Sequence, residues 1–221
     1  RVILHLYSGR RRRGDVQFYL DQLASSQTHF MLHIVSLDIV IDPIYGDAMR
    51  ADTCDFWLTS IRSGYIIAML AGPPCESWSR ARGVSLHGTP ALPGLVQRCG
   101  PRIIRDIQHL WGLECVTIRE LEQLQVGNAL LGFTLLALLE MALADGHGMV
   151  EHPAEPEDLP HAASIWRLPL VKAIMQLPNI ELLRFSQGLM GAKSHKPTHL
   201  LLLNLPQLLT CLHANRVRRS E

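Results

Sequence analysis

The sequence predicts an α/β fold, in which helices flank a mostly parallel sheet. Short apolar runs recur along the chain, segments with helical spacing separate them, and glycine- and proline-rich turns join the two. Of the 221 residues, 48% are hydrophobic and 19% are charged, so the chain can bury a full core within one domain. This composition excludes a disordered tail.

Strands and helices alternate in the first half of the chain. Val2 to Tyr7 predicts the first strand, and residues 16–23 predict the helix that follows it. Residues 31–37 predict a second strand and residues 55–62 a second helix. Ile66 to Ala71 is an uninterrupted apolar run, as expected for a strand that is buried on both faces of a parallel sheet.

The second half of the chain is predicted to complete the sheet. Helices are predicted over 101–112, 114–125, 129–143 and 164–177, with Gly127-Asn128 between the second and the third. Strands are predicted over 149–151, 182–187 and 199–205. Residues 83–100 are rich in Gly, Pro and Arg and lack periodicity, which is typical of a long functional loop.

Charge and cysteine usage narrow the class of protein. The net charge is +1, but only three of the 21 basic residues are lysine, and arginine is the residue suited to bidentate phosphate contacts. Five scattered cysteines without a Cys-x-x-Cys pair argue against a disulfide framework or a metal site, and fit a reducing intracellular compartment.

The stretch from Ala129 to Ala144 contains Glu140 and is too short to span a bilayer, so we expect a buried helix and no membrane association.

The segment after the third predicted strand holds the main candidate for chemistry. Gly72-Pro73-Pro74 ends the strand, because proline lacks an N–H for the ladder. Cys75 follows directly, at the carboxyl end of the strand, where open α/β sheets bind ligands. The sequence therefore predicts a nucleophilic thiol at this edge of the sheet.

Gly-Pro-Pro-Cys-Glu-Ser-Trp-Ser, from Gly72 to Ser79, resembles the nucleophile motif of DNA cytosine-C5 methyltransferases. The strand end at Glu151-His152 resembles the Glu-Asn-Val motif of the same family, with His152 in place of Asn. The resemblance implies a single Rossmann-like class I methyltransferase fold over residues 1–205. It also implies that the Cys75 thiolate adds to a flipped cytosine while Glu151 protonates N3 of that base.

The cofactor that the resemblance implies is S-adenosylmethionine. His5 to Gly9 resembles the family's first cofactor motif, except that arginines replace the glycines after Gly9. Asp38 is the candidate for the ribose, since a carboxylate accepts hydrogen bonds from two hydroxyls, and Asp42 is the alternative. The full set of candidate cofactor-binding residues is Tyr7, Ser8, Gly9, Asp38, Asp47, Pro73 and Asn128.

The resemblance further implies a nucleic-acid partner, either DNA or structured RNA. Candidate contacts are Ser77, Ser79, Arg80, Arg82, Gln187, Lys193 and Lys196. Residues 83–100 would form a mobile loop that closes over the substrate, and 206–221 a short basic tail, without a separate target-recognition domain. Because the chain begins at Arg1, directly before a predicted strand, we expect it to be part of a larger protein. Its overall pattern resembles the methyltransferase-like domains of retroelement polyproteins, which implies a location in the nucleus.

Two alternatives remain open on the sequence. The arginines that follow Gly9 favour a non-catalytic nucleic-acid-binding domain that kept the fold and lost the cofactor. A thiol-dependent enzyme of another class would instead pair Cys75 with His87, His147 or His152.

Overall fold

A computed structural model of the chain describes residues 1–26, 31–79, 82, 101–193 and 195–211. Within these ranges the strands are β1 (Val2–Leu6), β2 (His33–Leu37), β3 (Ile66–Ala71), β4 (His147–Pro153), β5 (Ile180–Ser186) and β6 (Pro197–Leu203). The α-helices are α1 (Val16–Ser26), α2 (Ala51–Arg62), α3 (Ile118–Leu143) and α4 (Pro169–Ile174). Short 3₁₀ turns cover Glu76–Trp78, Ile165–Arg167 and Gln187–Met190.

The strands form one sheet in the order β2-β1-β3-β4-β6-β5. β1 pairs in parallel with β2 and β3, and β3 pairs in parallel with β4. β6 is antiparallel to both β4 and β5, so β5 runs in the same direction as β4. The predicted α/β class with a mostly parallel sheet is confirmed. The strand order reverses between β1 and β3, which makes the carboxyl ends of these strands the switch point of the sheet.

The main core lies between the sheet and the helices α2, α3 and α4. Side chains that alternate along the strands, such as Leu4, Met69 and Val150, are at most 1% exposed on this face. The opposite face of β5 and β6 carries a smaller cluster around Leu200 and Leu202. Because the β-strand period is two, Glu151 and His152 near the end of β4 point to opposite faces of the sheet.

α3 is the crossover helix between β3 and β4, and it fills the centre of the core. Leu131, Leu135 and Leu138 on its inner face are 1% exposed each. A capping box begins the helix: Glu120 N donates to Thr117 Oγ1 at 3.3 Å, and Thr117 N donates to Glu120 Oε2 at 2.8 Å. By length and composition alone α3 could cross a membrane, but in this fold it packs as the expected buried helix.

The predicted helices before β4 are partly wrong. Residues 118–125 and 129–143 belong to one helix that begins at Ile118 and continues through Gly127. Gly127 does not break this helix and is needed for packing, because a Cβ at this position would lie 3.1 Å from Ser77 Oγ and 3.3 Å from Arg105 Nη2. Gly127 therefore lets α3 approach the turn that carries Cys75.

The predicted helix over 101–112 is wrong. The Asp106 carboxylate accepts hydrogen bonds from the backbone N–H groups of Gln108 and His109, at 2.9 Å and 2.7 Å, which competes with helical bonding. Asp106 also forms an isolated antiparallel bridge with Ala162. The segment is therefore an irregular strap that packs over the Cys75 turn.

The predicted helix over 164–177 is shorter than expected, and the strand bounds shift slightly. Ser164 begins a 3₁₀ turn, and Pro169 then begins the six-residue helix α4, because proline fits the first helical position. The predicted loop 83–100 lies outside the described residues, as does the part of the predicted tail from residue 212 onwards.

We expect Thr117→Ala to lower the free energy of unfolding by about 1 kcal/mol, because the N-terminal N–H groups of α3 lose their side-chain acceptor. Urea denaturation followed by circular dichroism measures the change. Thr59→Ala, at an exposed position within α2, is the matched control and should stay within about 0.5 kcal/mol of the wild type. Equal stability of the two variants would contradict the capping role.

Candidate active site

The carboxyl ends of β3 and β4 place Cys75 and Glu151 at one edge of the sheet. The parallel register pairs Ala71 with Val150, so Gly72, directly after β3, lies beside Glu151, where β4 continues to Pro153 and pairs with β6. A Cβ on Gly72 would lie 3.5 Å from Glu151 Oε2, which shows that the carboxylate rests against the turn leading to Cys75. The structure thus brings the two predicted catalytic residues together.

The turn after β3 holds Cys75 in place through its neighbours. Cys75 stands before the 3₁₀ turn Glu76–Trp78, and its carbonyl accepts a hydrogen bond from Trp78 N at 2.9 Å. Ser77 and Trp78 are buried, at 5% and 4% exposure, whereas Cys75 is half-buried. The two buried side chains anchor the turn and leave the thiol at the edge of a cavity.

Opposing charges act on the Cys75 thiol. Burial raises the pKa of Cys75, and the carboxylates of Glu151 and Glu76 raise it further. The Lys196 ammonium acts in the other direction and lowers the pKa of this thiol. The ionisation of Cys75 therefore depends on a balance between desolvation and one nearby cation.

The Glu151 carboxylate is bound by two side chains from the end of the chain. Lys196 Nζ donates to Glu151 Oε1 at 3.1 Å, and Gln187 Nε2 donates to the same oxygen at 3.3 Å. Lys196 and Gln187 were predicted to contact nucleic acid, but here both side chains turn inward onto the carboxylate. Their predicted contact with a nucleic-acid backbone stays untested.

A cavity of about 410 Å³ opens beside Cys75. Its lining includes Cys75, Trp78, Ser79, His152, Ser164 and Lys196, together with the acidic residues Glu155, Glu157 and Asp158. The cavity is large enough for a single ring with polar substituents, since small-ligand sites begin at about 300 Å³. It is thus a candidate substrate pocket that the thiol borders.

A buried arginine supports the Cys75 turn from the side of α3. Arg105 is 3% exposed, and its guanidinium carbon lies 4.1 Å from the centre of the Trp78 ring. Its Nη1 donates to Leu110 O at 2.8 Å and to Asn128 Oδ1 at 2.7 Å. Burial, with the charge of Arg82, lowers the pKa of Arg105 to about 10. The local sequence around Arg105 does not indicate this role, because the burial of the side chain comes from tertiary packing.

His152 is enclosed between two tryptophans. It is 2% exposed, and its ring lies edge-on to Trp78 and Trp166, with 6.3 Å between the ring centres in each pair. Neither ring nitrogen has a hydrogen-bond partner within the part of the chain that the structure describes. Desolvation, with the Lys196 charge next, lowers the pKa of His152 to about 3, so the imidazole is neutral.

The candidate cofactor residues of the first two strands meet at the switch point. Gly9 N donates to Asp38 Oδ2 at 2.9 Å, and Val40 N donates to Asp38 Oδ1 at 3.0 Å. Gly9 has φ +67, and no atom lies within 4 Å of the place where its Cβ would stand. Gly9 and Asp38 therefore combine an open backbone approach with a carboxylate, which suits a ligand bearing hydroxyl groups.

Other candidate cofactor residues are engaged within the protein. The Tyr7 hydroxyl donates to Leu130 O at 2.8 Å, and burial raises its pKa. The Asn128 amide joins Arg105 to Trp111 O, and the Asp47 carboxylate accepts from Met49 N at 3.0 Å.

Ser8 N donates to Leu37 O at 3.2 Å, and Pro73 is buried beside the Cys75 turn. The three cavities that described residues form around the Cys75 turn are not lined by Gly9, Asp38 or Asp47. The cofactor roles remain predictions.

The remaining candidate contacts to nucleic acid differ in exposure. Arg82 donates to Glu76 O, to Arg102 O and to Gln123 Oε1, so it ties the Cys75 turn to the strap and to α3. Ser77 is buried, Ser79 is half-buried and Lys193 is exposed. Arg80 lies outside the described residues. Their contact with nucleic acid stays a prediction.

Two of the histidines suggested as partners of the thiol lie in the described part of the chain, and neither is hydrogen-bonded to it. His147 lies at the amino end of β4, where its Nδ1 is 2.8 Å from Asn204 O, and His87 lies outside the described residues. His152 lines the Cys75 cavity without a hydrogen bond to the thiol. Among the residues that the structure covers, no group of three His, Cys, Asp or Glu side chains could hold a metal ion.

Comparison with protein-family models, with curated proteins and with solved structures gives no match for this chain. The argument for function therefore depends on the residues of the site and on their geometry.

The neutral state of His152 predicts a pH dependence of stability. The folded-state pKa of about 3 lies below the usual histidine value near 6.5, so the unfolded chain binds the proton more tightly. The contribution of His152 to the free energy of unfolding is fully present above pH 6.5 and is lost as the pH falls. This loss amounts to about 2 kcal/mol between pH 7 and pH 5. Urea denaturation across this range measures the slope.

His152→Phe should remove this part of the slope, because phenylalanine keeps an aromatic ring between the tryptophans and does not titrate. His33→Phe, at an exposed histidine on β2, is the control and should keep the wild-type slope. An unchanged slope in His152→Phe would show that His152 is not the residue responsible.

Proposed function

We propose that this chain is an S-adenosylmethionine-dependent cytosine-C5 methyltransferase that acts on DNA or structured RNA. The observation that carries the proposal is the half-buried Cys75 thiol at the edge of a cavity of about 410 Å³, with the Glu151 carboxylate of the neighbouring strand against the turn that leads to this thiol. A nucleophile and a proton donor must act on one ring in this reaction, and neighbouring parallel strands place both at the same edge.

The chemistry assigns a separate step to each residue. The Cys75 thiolate attacks C6 of the cytosine, so that a C–S bond forms and electron density moves to C5. Glu151 takes up a proton from solvent before the addition, and this carboxylic-acid form donates it to N3 as the C–S bond forms, which prevents negative charge from building up on the ring. After C5 has been methylated, a base removes the C5 proton, N3 returns its proton to Glu151, and the C–S bond breaks to release the thiolate.

Binding of the base requires that it leave the helical stack. An extruded pyrimidine would be held against aromatic side chains, and the buried Trp78 borders the Cys75 cavity. The cost of extrusion is a few kcal/mol, which contacts to the rest of the substrate must offset. A single-stranded or looped substrate would pay less of this cost.

The residues at the switch point fit the cofactor in part. S-adenosylmethionine would supply the methyl group when it is bound. Asp38 could accept hydrogen bonds from ribose hydroxyls, and the open space at Gly9 would allow the ligand to approach the backbone. This switch point adjoins β3, so a ligand there would lie next to the Cys75 turn.

We expect Cys75→Ser to reduce methyl transfer below about 1% of the wild-type rate, because a serine hydroxyl is not ionised and adds poorly to C6. Transfer of tritiated methyl groups to mixed DNA and structured RNA measures the activity, and circular dichroism checks the fold. Cys115→Ser, at an exposed cysteine, is the matched control and should keep the wild-type rate.

Trapping with 5-fluorocytosine identifies the attacking atom, because fluorine at C5 cannot leave as a proton does. An oligonucleotide pool that contains this base should form a covalent adduct at Cys75 in the presence of the cofactor, detected by mass spectrometry. Methylation by Cys75→Ser at the wild-type rate, or an adduct at another cysteine, would refute the mechanism.

A non-catalytic nucleic-acid-binding domain is the second candidate. It is favoured by the exposed arginines from Arg10 to Arg13, which replace the glycines of the cofactor motif, and by the ion pair between Arg11 and Asp15 at 2.8 Å. That ion pair holds the turn through groups of the protein itself, so the turn needs no ligand.

Isothermal titration with S-adenosylmethionine separates the two candidates. The enzyme should release heat with saturation below millimolar cofactor, and Asp38→Ala should weaken the binding by about tenfold, because the hydrogen bonds to a charged acceptor are lost. Asp21→Ala, in the middle of α1, is the control. Absence of heat at millimolar cofactor, with retained binding of nucleic acid, would favour the second candidate.

A further inference from the structure

Hydrogen bonds fix the backbone of the Lys-Pro-Thr segment, residues 196–198, where β6 begins. The carbonyl of Lys196 accepts hydrogen bonds from Gln187 N at 3.0 Å and from Thr198 Oγ1 at 3.1 Å. Thr198 is fully buried, and Pro197 O accepts from Ala154 N at 3.0 Å. Pro197 also restricts the backbone of the residue before it. The backbone of Lys196 is therefore fixed from both sides, which limits where its side chain can reach.

The ammonium group that this backbone presents faces the active-site carboxylate. Lys196 Nζ lies 3.1 Å from Glu151 Oε1, and the two side chains are 34% and 31% exposed. Lys196 and Cys75 also line the same cavity. The ammonium therefore lies at the carboxylate, and the Lys196 side chain borders the cavity that Cys75 also lines.

The other charged groups around Cys75 are mostly acidic. Those that face the thiol or its cavity are Glu76 on the same turn, Glu151 on β4, Glu155, Glu157 and Asp158 after β4, Arg184 on β5, and the neutral His152. Glu157 pairs with Arg184, and Glu155 pairs with Arg167 at 2.5 Å. Among the described residues, Lys196 is thus a cation on the cavity lining that pairs with Glu151 and not with these acidic residues.

We propose that Lys196 is a positioning residue that holds the Glu151 carboxylate and stabilises the Cys75 thiolate. The inference rests on the proposed function, because it assigns a role within the same site. In the resting protein the ammonium opposes, without cancelling, the effect of desolvation on the thiolate, and in the same position it binds the Glu151 carboxylate that rests against Gly72. Lys196 does not need to touch the substrate for either effect.

The pH dependence of Cys75 alkylation tests this role without methyl transfer. Iodoacetamide reacts with the thiolate, so the rate at the Cys75 peptide, measured by mass spectrometry from pH 6 to pH 10, reports the ionisation of this thiol. We expect Lys196→Met to lower the rate at pH 7.5 by about 3- to 10-fold and to move the midpoint upward. Lys196→Arg should retain a rate close to that of the wild type.

Glu151→Gln provides an independent test with the opposite sign. Removal of the carboxylate removes a charge that opposes the thiolate, so the alkylation rate at pH 7.5 should rise. A merely structural role for the ion pair would change both variants in the same direction. Lys172→Met, at an exposed lysine on α4, is the matched control and should leave the profile unchanged. Circular dichroism of each variant confirms folding, and Lys196→Gln replaces Lys196→Met if the latter does not fold.

The outcomes separate this inference from the proposed function. A profile for Lys196→Met that matches Lys172→Met would overturn the role of Lys196, even if the wild type methylates cytosine. A shifted profile with the opposite response in Glu151→Gln would support that role, even if the wild type shows no methyl transfer, in which case the proposed function alone fails.

Discussion

The parallel pairing of β3 with β4 is the constraint on which the site depends. The register from Ala68–His147 to Ala71–Val150 places the two strand ends at one edge. Neighbouring strands are about 4.8 Å apart, so side chains that follow them can meet over one small ligand. α3 makes this pairing possible, because parallel neighbours need a long crossover, and its burial against the sheet stabilises the connection.

Around this edge, tight packing fixes the Cys75 turn but leaves several buried polar atoms without hydrogen-bond partners among the described residues. Trp78 stacks under Arg105 and lies edge-on to His152, and each of the three is at most 4% exposed. Arg105 Nε and Nη2 and the nitrogens of His152 are buried without hydrogen-bond partners among the described residues, which costs about 1–3 kcal/mol for each group. A layer built in this way keeps the Cys75 turn fixed while the thiol itself stays at the cavity edge.

The sequence pattern predicted the bounds of an element most reliably where a continuous apolar run forms a single buried strand. The run from Ile66 to Ala71 was predicted with the bounds that the structure has, because it is apolar throughout and proline ends it. Prediction failed where tertiary packing decides the conformation. Gly127 looked like a break in the helix, yet it is the point where α3 touches the Cys75 turn, and the strap from 101 to 112 is held by Asp106 instead of by helical hydrogen bonds.

The local sequence by itself determined the strand that carries Cys75 and the turn that follows it, because apolar continuity and proline act on adjacent residues. It also pointed to Glu151 as a carboxylate at the next strand end. Only the tertiary structure decided what surrounds these groups. Gln187 and Lys196 reach Glu151 from 36 and 45 residues away, because β6 inserts in the antiparallel direction beside β4. Arg105 likewise meets Trp78 through the strap. Such contacts arise from strand order and crossover packing, which no local pattern of residues encodes.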